Sequence, residues 1–340
     1  MKSIAIWYKT QEGKTTKQQI SLHFNLWKLP KSKNKFERFF DIGMQLEKAS
    51  EIEEIKVYFP CKIVNKVEDL GKIISEDNKL LSAIFNEDLS TKTESNSNYI
   101  DVSWENVDKF SIYTLGQCNI SSKKIDNDDG TIIVLKNFNT GQRDKIYIRI
   151  RIKDKAIAQF FHEEELSNAF IQNAFSKSET IDFRMNEIRE IDPKILEEHI
   201  DTSCFFRIKK AHFFYMCSSK EENIFSNKEL NNCRHLEKER WNNYINSVDI
   251  DSNSIVLAYH WKFVPKSDND ILTGFGLLIK SKFESISWKP MLKYFMWLIL
   301  ITVFLNFLSN FLYSLTQKAN NKNSIEIPIS FIPRNPNTKK

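Results

Sequence analysis

Residues 145–153 read Lys-Ile-Tyr-Ile-Arg-Ile-Arg-Ile-Lys. Ile146, Ile148, Ile150 and Ile152 fall on one face, and Lys145, Tyr147, Arg149, Arg151 and Lys153 on the other. A period of two marks a β-strand, because successive side chains of an extended chain point to opposite sides. The isoleucine face predicts a strand resting on an apolar core. The other face carries four cations, which repel one another unless a carboxylate or a bound anion lies alongside. A solvated face paired with carboxylates such as Asp182 or Glu187 is the simpler expectation. The functional one is a phosphate-bearing ligand or lipid headgroup gripped by arginine forks. Arg207, Lys209, Lys210 and His212 form a second basic cluster, and the candidate anion-binding residues are Arg149, Arg151, Lys153, Arg207 and Lys209.

Outward from this strand the same pattern recurs. Ile20, Leu22, Phe24 and Leu26 alternate with polar residues, as do Ile55, Val57 and Phe59. Further strands are expected over 99–104, 109–115, 131–136, 180–186, 205–215, 254–264 and 272–283. Asp126 to Gly130 and Asn137 to Asp144 read as hairpin turns, the first lacking the ligand register of a calcium loop. Helices are expected around Phe36, Phe39, Phe40 and Leu46, and over Leu70 to Phe85. Asp192-Pro193 opens another as cap and first residue, and a capping box at Ser226 and Glu229 predicts one running to about Ile245. The fold class is α+β, mostly antiparallel and sandwich-like, with a few inserted helices. The expected divisions are an N-terminal mixed domain 1–88, a polar linker 89–98, and a β-rich domain 99–287.

The last part of the chain differs in kind. From Tyr294 to Leu315 run 22 uncharged residues, YFMWLILITVFLNFLSNFLYSL. As a helix they span about 33 Å, enough for a hydrocarbon core of roughly 30 Å. Lys289 and Lys293 flank one side, Lys318 and Lys322 the other, with Trp297 and Tyr313 near the ends. A single C-terminal transmembrane helix over 294–315 is expected, with a short tail over 316–340. The N-terminal apolar run is too short for a signal-peptide core, so a single-pass protein with its N-terminal domain in the cytoplasm is the expected localisation. Thr302, Asn306, Ser309 and Tyr313 fall at three- and four-residue steps, a polar stripe that a second copy of the helix would satisfy.

Composition bounds the chemistry. A balance of 49 Lys+Arg against 44 Asp+Glu leaves +5, too weak for a dedicated nucleic-acid binder. Only 8 glycines occur, and neither a Walker nor a Rossmann phosphate loop can be written from them. Five irregularly spaced cysteines with no C-x-x-C indicate free thiols rather than a disulfide scaffold. Cys204, His212, Cys217 and Cys233 match no common zinc spacing, and Cys233 reads as a core residue. Asp41 with Glu54-Ile55-Lys56 resembles the D…E-x-K set of metal-dependent nucleases, a weak signal in a chain so rich in Glu and Lys. No catalytic residue, metal or cofactor is assigned.

These features predict a membrane-anchored cytoplasmic binding or sensing module, acting as a signalling or effector subunit through self-association of its membrane helix. Bacterial defence effectors pair sensing domains with membrane segments in this way, an analogy of architecture alone. The expected partners are the lipid bilayer, further copies of the chain, and a soluble protein or an anionic small ligand, with no specific nucleic acid. The alternatives are an anchored phosphodiesterase or nuclease, and a passive scaffold that docks a soluble partner.

Overall fold

Alternation wins over most of the chain. The computed structural model describes residues 3–14, 17–32, 35–92, 98–105, 107–116, 119–125, 130–138, 143–164, 176–245, 255–267, 270–284 and 288–322. In chain order the strands are β1 (Ala5–Thr10), β2 (Gln19–Ser32), β3 (Lys35–Leu46), β4 (Ile52–Phe59), β5 (Glu68–Asp69), β6 (Ser90–Lys92), β7 (Tyr99–Trp104), β8 (Val107–Tyr113) and β9 (Ile120–Lys124). They continue with β10 (Thr131–Lys136), β11 (Ile146–Ile152), β12 (Phe161–Glu164), β13 (Ser176–Met185), β14 (Arg207–Ser218), β15 (Glu221–Ser226), β16 (Asn232–His235), β17 (Val256–Phe263) and β18 (Phe275–Glu284). The helices are α1 (Gly71–Ser75), α2 (Asn78–Phe85), α3 (Pro193–His199), α4 (Lys238–Ile245) and α5 (Trp288–Lys322).

Among the described residues the strands form three sheets. The central one has ten strands, ordered β16-β17-β14-β2-β3-β11-β8-β7-β6, with β5 also paired to β11. Two four-stranded sheets run β1-β4-β10-β9 and β12-β13-β18-β15. Most pairs are antiparallel, but β14 with β2 and β11 with β8 are parallel, so the chain is mostly β with mixed sheets. Residues 1–166 with 176–286 form one compact unit, and residues 167–175 with 287–340 another. Strands from both sides of residues 89–98 share the central sheet.

The two faces of that sheet are covered differently. Leu22, Phe24 and Leu26 of β2, Phe40, Ile42 and Met44 of β3 and the four isoleucines of β11 pack with Ile55 and Val57 of β4 and with Ile181 and Phe183 of β13. At about 1.5–3 kcal/mol for each fully buried side chain, this apolar layer is the main driving force for the fold. One charged cluster interrupts it. Lys28, at the end of the same β2 face, is fully buried and bridges Glu179 of β13 at 2.6 Å and Glu221 of β15 at 2.9 Å. Arg38 adds a second cation to Glu179 at 3.1 Å. Tyr215 and Ser281 donate hydroxyl hydrogen bonds to Glu221. On the other face Trp27, Phe39 and Tyr147 lie under α1, α2 and α4. The outer face of the β1-β4-β10-β9 sheet packs on α3 through Trp7, Tyr58 and Ile195.

Several local expectations hold. Two short helices cover 71–85, and the Asp192 carboxylate accepts from the Lys194 amide at 2.9 Å with Pro193 first in α3. Two are corrected. The stretch around Phe36 to Leu46 is a strand, not a helix, because Phe40, Ile42, Met44 and Leu46 all face the core while Asp41, Gly43 and Gln45 face away. The capping box at Ser226 does not open a helix. Its hydroxyl donates to the Lys228 carbonyl instead, residues 232–235 pair with β17, and only 238–245 are helical. Cys233 is therefore exposed on an edge strand and not in the core.

In α5, Met291–Lys318 include an 18-residue stretch with a mean hydropathy of 2.0, none of it buried, and among the described residues this is the one helix long and apolar enough to cross a membrane. Thr302 donates its hydroxyl to the Leu298 carbonyl of the same helix at 2.8 Å. Residues 126–129 of the expected first turn, 139–142 of the second, 93–97 of the polar segment and 323–340 of the tail lie outside the described residues.

Candidate functional site

The face of the central sheet that turns away from the aliphatic core holds an unusual set of side chains. Its register places Lys262, His212, His23, Gly43 and Arg149 across β17, β14, β2, β3 and β11 in one row. The next row is His260, Phe214, Asn25, Asp41 and Arg151. A β-bulge sets this parity on β14. Ile208 pairs with Ile20, but after the extra residue Lys210 pairs with Ser21. One residue of slip moves a strand's side chains to the opposite face. The bulge therefore aims Lys210, His212 and Phe214 outward while Ala211, Phe213 and Tyr215 fill the core.

Asp41 is the hub. Its two oxygens receive Trp27 Nε1 at 2.9 Å, the Tyr244 hydroxyl at 2.6 Å, Arg151 Nε at 2.7 Å and Arg151 Nη2 at 3.1 Å. Arg151 also donates to the Tyr244 carbonyl at 2.8 Å, so α4 is fastened to the sheet by charge-assisted bonds. Arg149 donates to the hydroxyls of Tyr244 at 2.6 Å and Tyr147 at 3.0 Å, but its Nη2 makes no hydrogen bond and stands 3.9 Å from Asp41. Both arginines and Asp41 are at most 2% exposed. Two guanidinium ions therefore share one buried carboxylate, and Glu68, opposite Arg151 in the sheet, is only half-buried. Gly43 permits the arrangement, since a Cβ there would collide with the Tyr147 hydroxyl.

Beside this hub the sheet opens into a pocket of about 620 Å³. Its floor carries His23, Gln45, Lys145, Lys210, His212, Phe214, His260 and Lys262. Its walls are the end of α2 with Phe85 and Glu87, Lys109 and Phe110 of β8, and Asn231, Asn232 and Arg234. Arg234 of β16 closes one side by donating to the Ala83 carbonyl in the last turn of α2 at 3.1 Å, where the helix end is electronegative. Five cations line the pocket, Lys109, Lys145, Lys210, Lys262 and Arg234, against one lining carboxylate, Glu87; Glu47, outside the lining, pairs with Lys145 at 3.7 Å. The histidines add no charge near neutral pH. Burial, followed by the neighbouring imidazole and lysines, lowers His212 to about 4, and burial followed by Arg234 lowers His260 to about 4. Burial drives His23 well below its ordinary value. The rings stack instead: Phe214 and His260 lie 4.4 Å apart and nearly parallel, and His212 Nδ1 meets His260 Nε2 at 2.8 Å.

The pocket continues into a narrow recess of about 20 Å³, lined by Arg149, Asn25, Met216 and Trp241. That is room for roughly one water. The Arg149 Nη2 and the Asn25 Oδ1 are both buried without a hydrogen-bond partner there.

The sequence-predicted anion residues do not gather. Arg149 and Arg151 are in the buried hub, paired with Asp41 and not with Asp182 or Glu187, which hold Arg184 and Arg189. Lys153 pairs with Glu37 at 3.2 Å and Lys209 with Glu47 at 3.2 Å. Arg207 stands opposite Gln19, with its Nε buried and unpartnered. Of the second basic cluster, Lys210 and His212 do reach the pocket. The alternations Lys210-His212-Phe214 and His260-Lys262 were the available signal, hidden because the bulge cannot be read from the sequence. The nuclease-like set is not brought together, since Asp41 faces the helices while Glu54 and Lys56 pair with each other on β4 at 3.4 Å. Among the described residues no three metal-ligand side chains cluster.

No protein-family model matches the chain, and no curated protein matches it. Among solved structures it is similar to the Fcho1 Mu homology domain of Danio rerio with bound Eps15 peptide. The identity is 8% over 84% of this chain and 80% of that one, and the TM-score of 0.14 carries no argument about fold or function.

Proposed function

We propose that this chain is a membrane-anchored binding module whose folded unit, a sandwich-like stack of sheets, captures a small anionic molecule in the basic pocket. The observation that supports it is the charge balance: five cations to one carboxylate lining the pocket. All five cations are exposed, so the excess acts through its field, which raises the local concentration of an anion and holds it in the concavity. Inorganic pyrophosphate should bind the full chain in detergent, more weakly as salt rises. Lys210→Glu with Lys262→Glu should abolish that binding without changing the melting temperature. A flat titration of the wild-type chain would sink the reading.

On this proposal α5 is a single C-terminal transmembrane anchor and the folded unit lies on the cytoplasmic side. The full chain should resist carbonate extraction from membranes, a chain ending at Ser287 should be soluble, and protease added outside intact cells should spare the folded unit. Ligand capture would act through self-association of the helix, as in a signalling or effector subunit of the kind used in defence. Thr302 already bonds its own backbone, so among Thr302, Asn306, Ser309 and Tyr313 the asparagine amide has most to gain from a second copy. Asn306→Leu should keep insertion and weaken crosslinking; unchanged crosslinking would leave the helix an anchor only.

A further inference from the structure

We infer that the anion taken by this pocket is a nucleotide, its phosphates at the lysine end and its base against the ring cluster beside the Arg149 recess. The inference rests on the anion-binding reading above and goes further by naming the ligand's chemistry. Three observations converge. Three of the five cations lie toward one end, Lys210 opposite Ser21 on β2, Lys262 opposite His212 on β14 and Lys145 just before β11, while Arg234 stands at the recess end. Next along the same strands come flat rings: Phe214 and His260 stacked 4.4 Å apart, with His212 stacked on His260 at 5.1 Å. Phe85 and Phe110, 4.8 Å from each other, line the pocket from α2 and β8. Uncharged imidazole and phenyl faces attract any π-system and have no preference for a bare anion.

The third observation lies beyond the rings. Arg149, 1% exposed, has a guanidinium N–H with no acceptor, and Asn25, 5% exposed, has an amide oxygen with no donor. Both line the recess that shares His23, Phe214 and Arg234 with the pocket. A free donor and a free acceptor lining one recess can meet the hydrogen-bonding edge of a nucleobase, directly or through the one water the recess can hold. Lysines alone would accept any anion, and rings alone any flat molecule. The ordered sequence of cations, rings, and an unpaired donor and acceptor fits one molecule carrying all three complements. The volume of about 620 Å³ is within the range of small-molecule sites.

The test uses the full chain in detergent at one fixed salt concentration, titrated calorimetrically with ATP, GTP, CTP and UTP, with the four nucleosides, and with pyrophosphate. At least one triphosphate should bind about tenfold or more tighter than both its nucleoside and pyrophosphate, the gain expected of a stacked base. Phe214→Leu, which keeps apolar volume without the ring, should lose about that factor for the triphosphate and nothing for pyrophosphate. Lys210→Glu with Lys262→Glu should weaken both. If pyrophosphate binds as tightly as every triphosphate, the nucleotide inference is overturned and the anion site stands. If neither binds, both fall. If Phe214→Leu weakens pyrophosphate and triphosphate equally at unchanged melting temperature, the base does not sit on the rings and the inference is also overturned.

Discussion

The central sheet buries one charged cluster on each face, and the two are built to opposite rules. On the aliphatic face Lys28 and Arg38 meet Glu179 and Glu221, two positive charges to two negative, with Lys28, Glu179 and Glu221 sealed from solvent. On the helix face Arg149 and Arg151 meet Asp41 alone, and one guanidinium nitrogen is left without an acceptor. A sealed cluster has to be neutral, because nothing can enter later to balance it. A cluster that adjoins a pocket can keep an excess charge for whatever the pocket receives. On the binding function proposed above, the contrast separates a structural use of buried charge from a recognition use within one sheet.

The largest effect that could break this contrast comes from its hub. Asp41→Ala leaves two arginines buried without their carboxylate and should cost about 3–5 kcal/mol in denaturant unfolding. Because arginine does not release its proton, that cost should be the same at pH 5 and pH 8. A loss below about 1 kcal/mol would mean that the helix face is effectively solvated.

Lys28→Met tests the sealed cluster and should be comparably costly at pH 8, about 3–5 kcal/mol. Here the orphaned groups are carboxyls, and burial already pushes Glu179 up even with Lys28 beside it. Removing the lysine raises Glu179 further, so the folded variant binds a proton that the unfolded chain gives up. Stability so gained is present at low pH and lost as pH rises. The penalty should therefore be smaller at pH 5 than at pH 8. A pH-independent penalty would place the two clusters in the same class.

A smaller effect concerns the pocket histidines. His212 and His260 at about 4 stay neutral in the folded chain while the unfolded chain protonates near 6.5. Above that window the two states agree. As pH falls from about 6.5 toward 4, the unfolded state gains protons first and stability declines. His212→Gln with His260→Gln should make the melting temperature fall less steeply over that interval. The smallest effect is Lys209→Ala, which removes a half-exposed pair with Glu47 and should cost about 0–1 kcal/mol. It lies two residues from Arg207 in a basic run that looks uniform in sequence.

How far the sequence could be read follows from these same residues. Ile146 to Ile152 declared their face, because an unbroken alternation of large aliphatics has one physical use. Arg149 and Arg151 declared a strand face rich in charge but not its partner. Asp41 is 110 positions from Arg151, and nothing local ties them. Phe36 to Leu46 misled because aromatic spacing can imitate a helical stripe, while Ser226 and Glu229 carried cap chemistry that tertiary pairing to β17 overrode. The pocket depended on a bulge in β14 and the hub on Gly43, two backbone features with no composition signal.

The pocket wall includes one weakly held strand. Arg234 is on β16, a four-residue strand at the very edge of the sheet, paired on one side only and exposed throughout. Such a strand detaches at far less free energy than global unfolding. Amide hydrogens there should exchange ahead of those in β2 and β14, and on the proposed binding function release of a bound molecule would be timed by the fraying of 232–235 and not by the breathing of the core. Residence time and thermal stability would then be separately adjustable quantities.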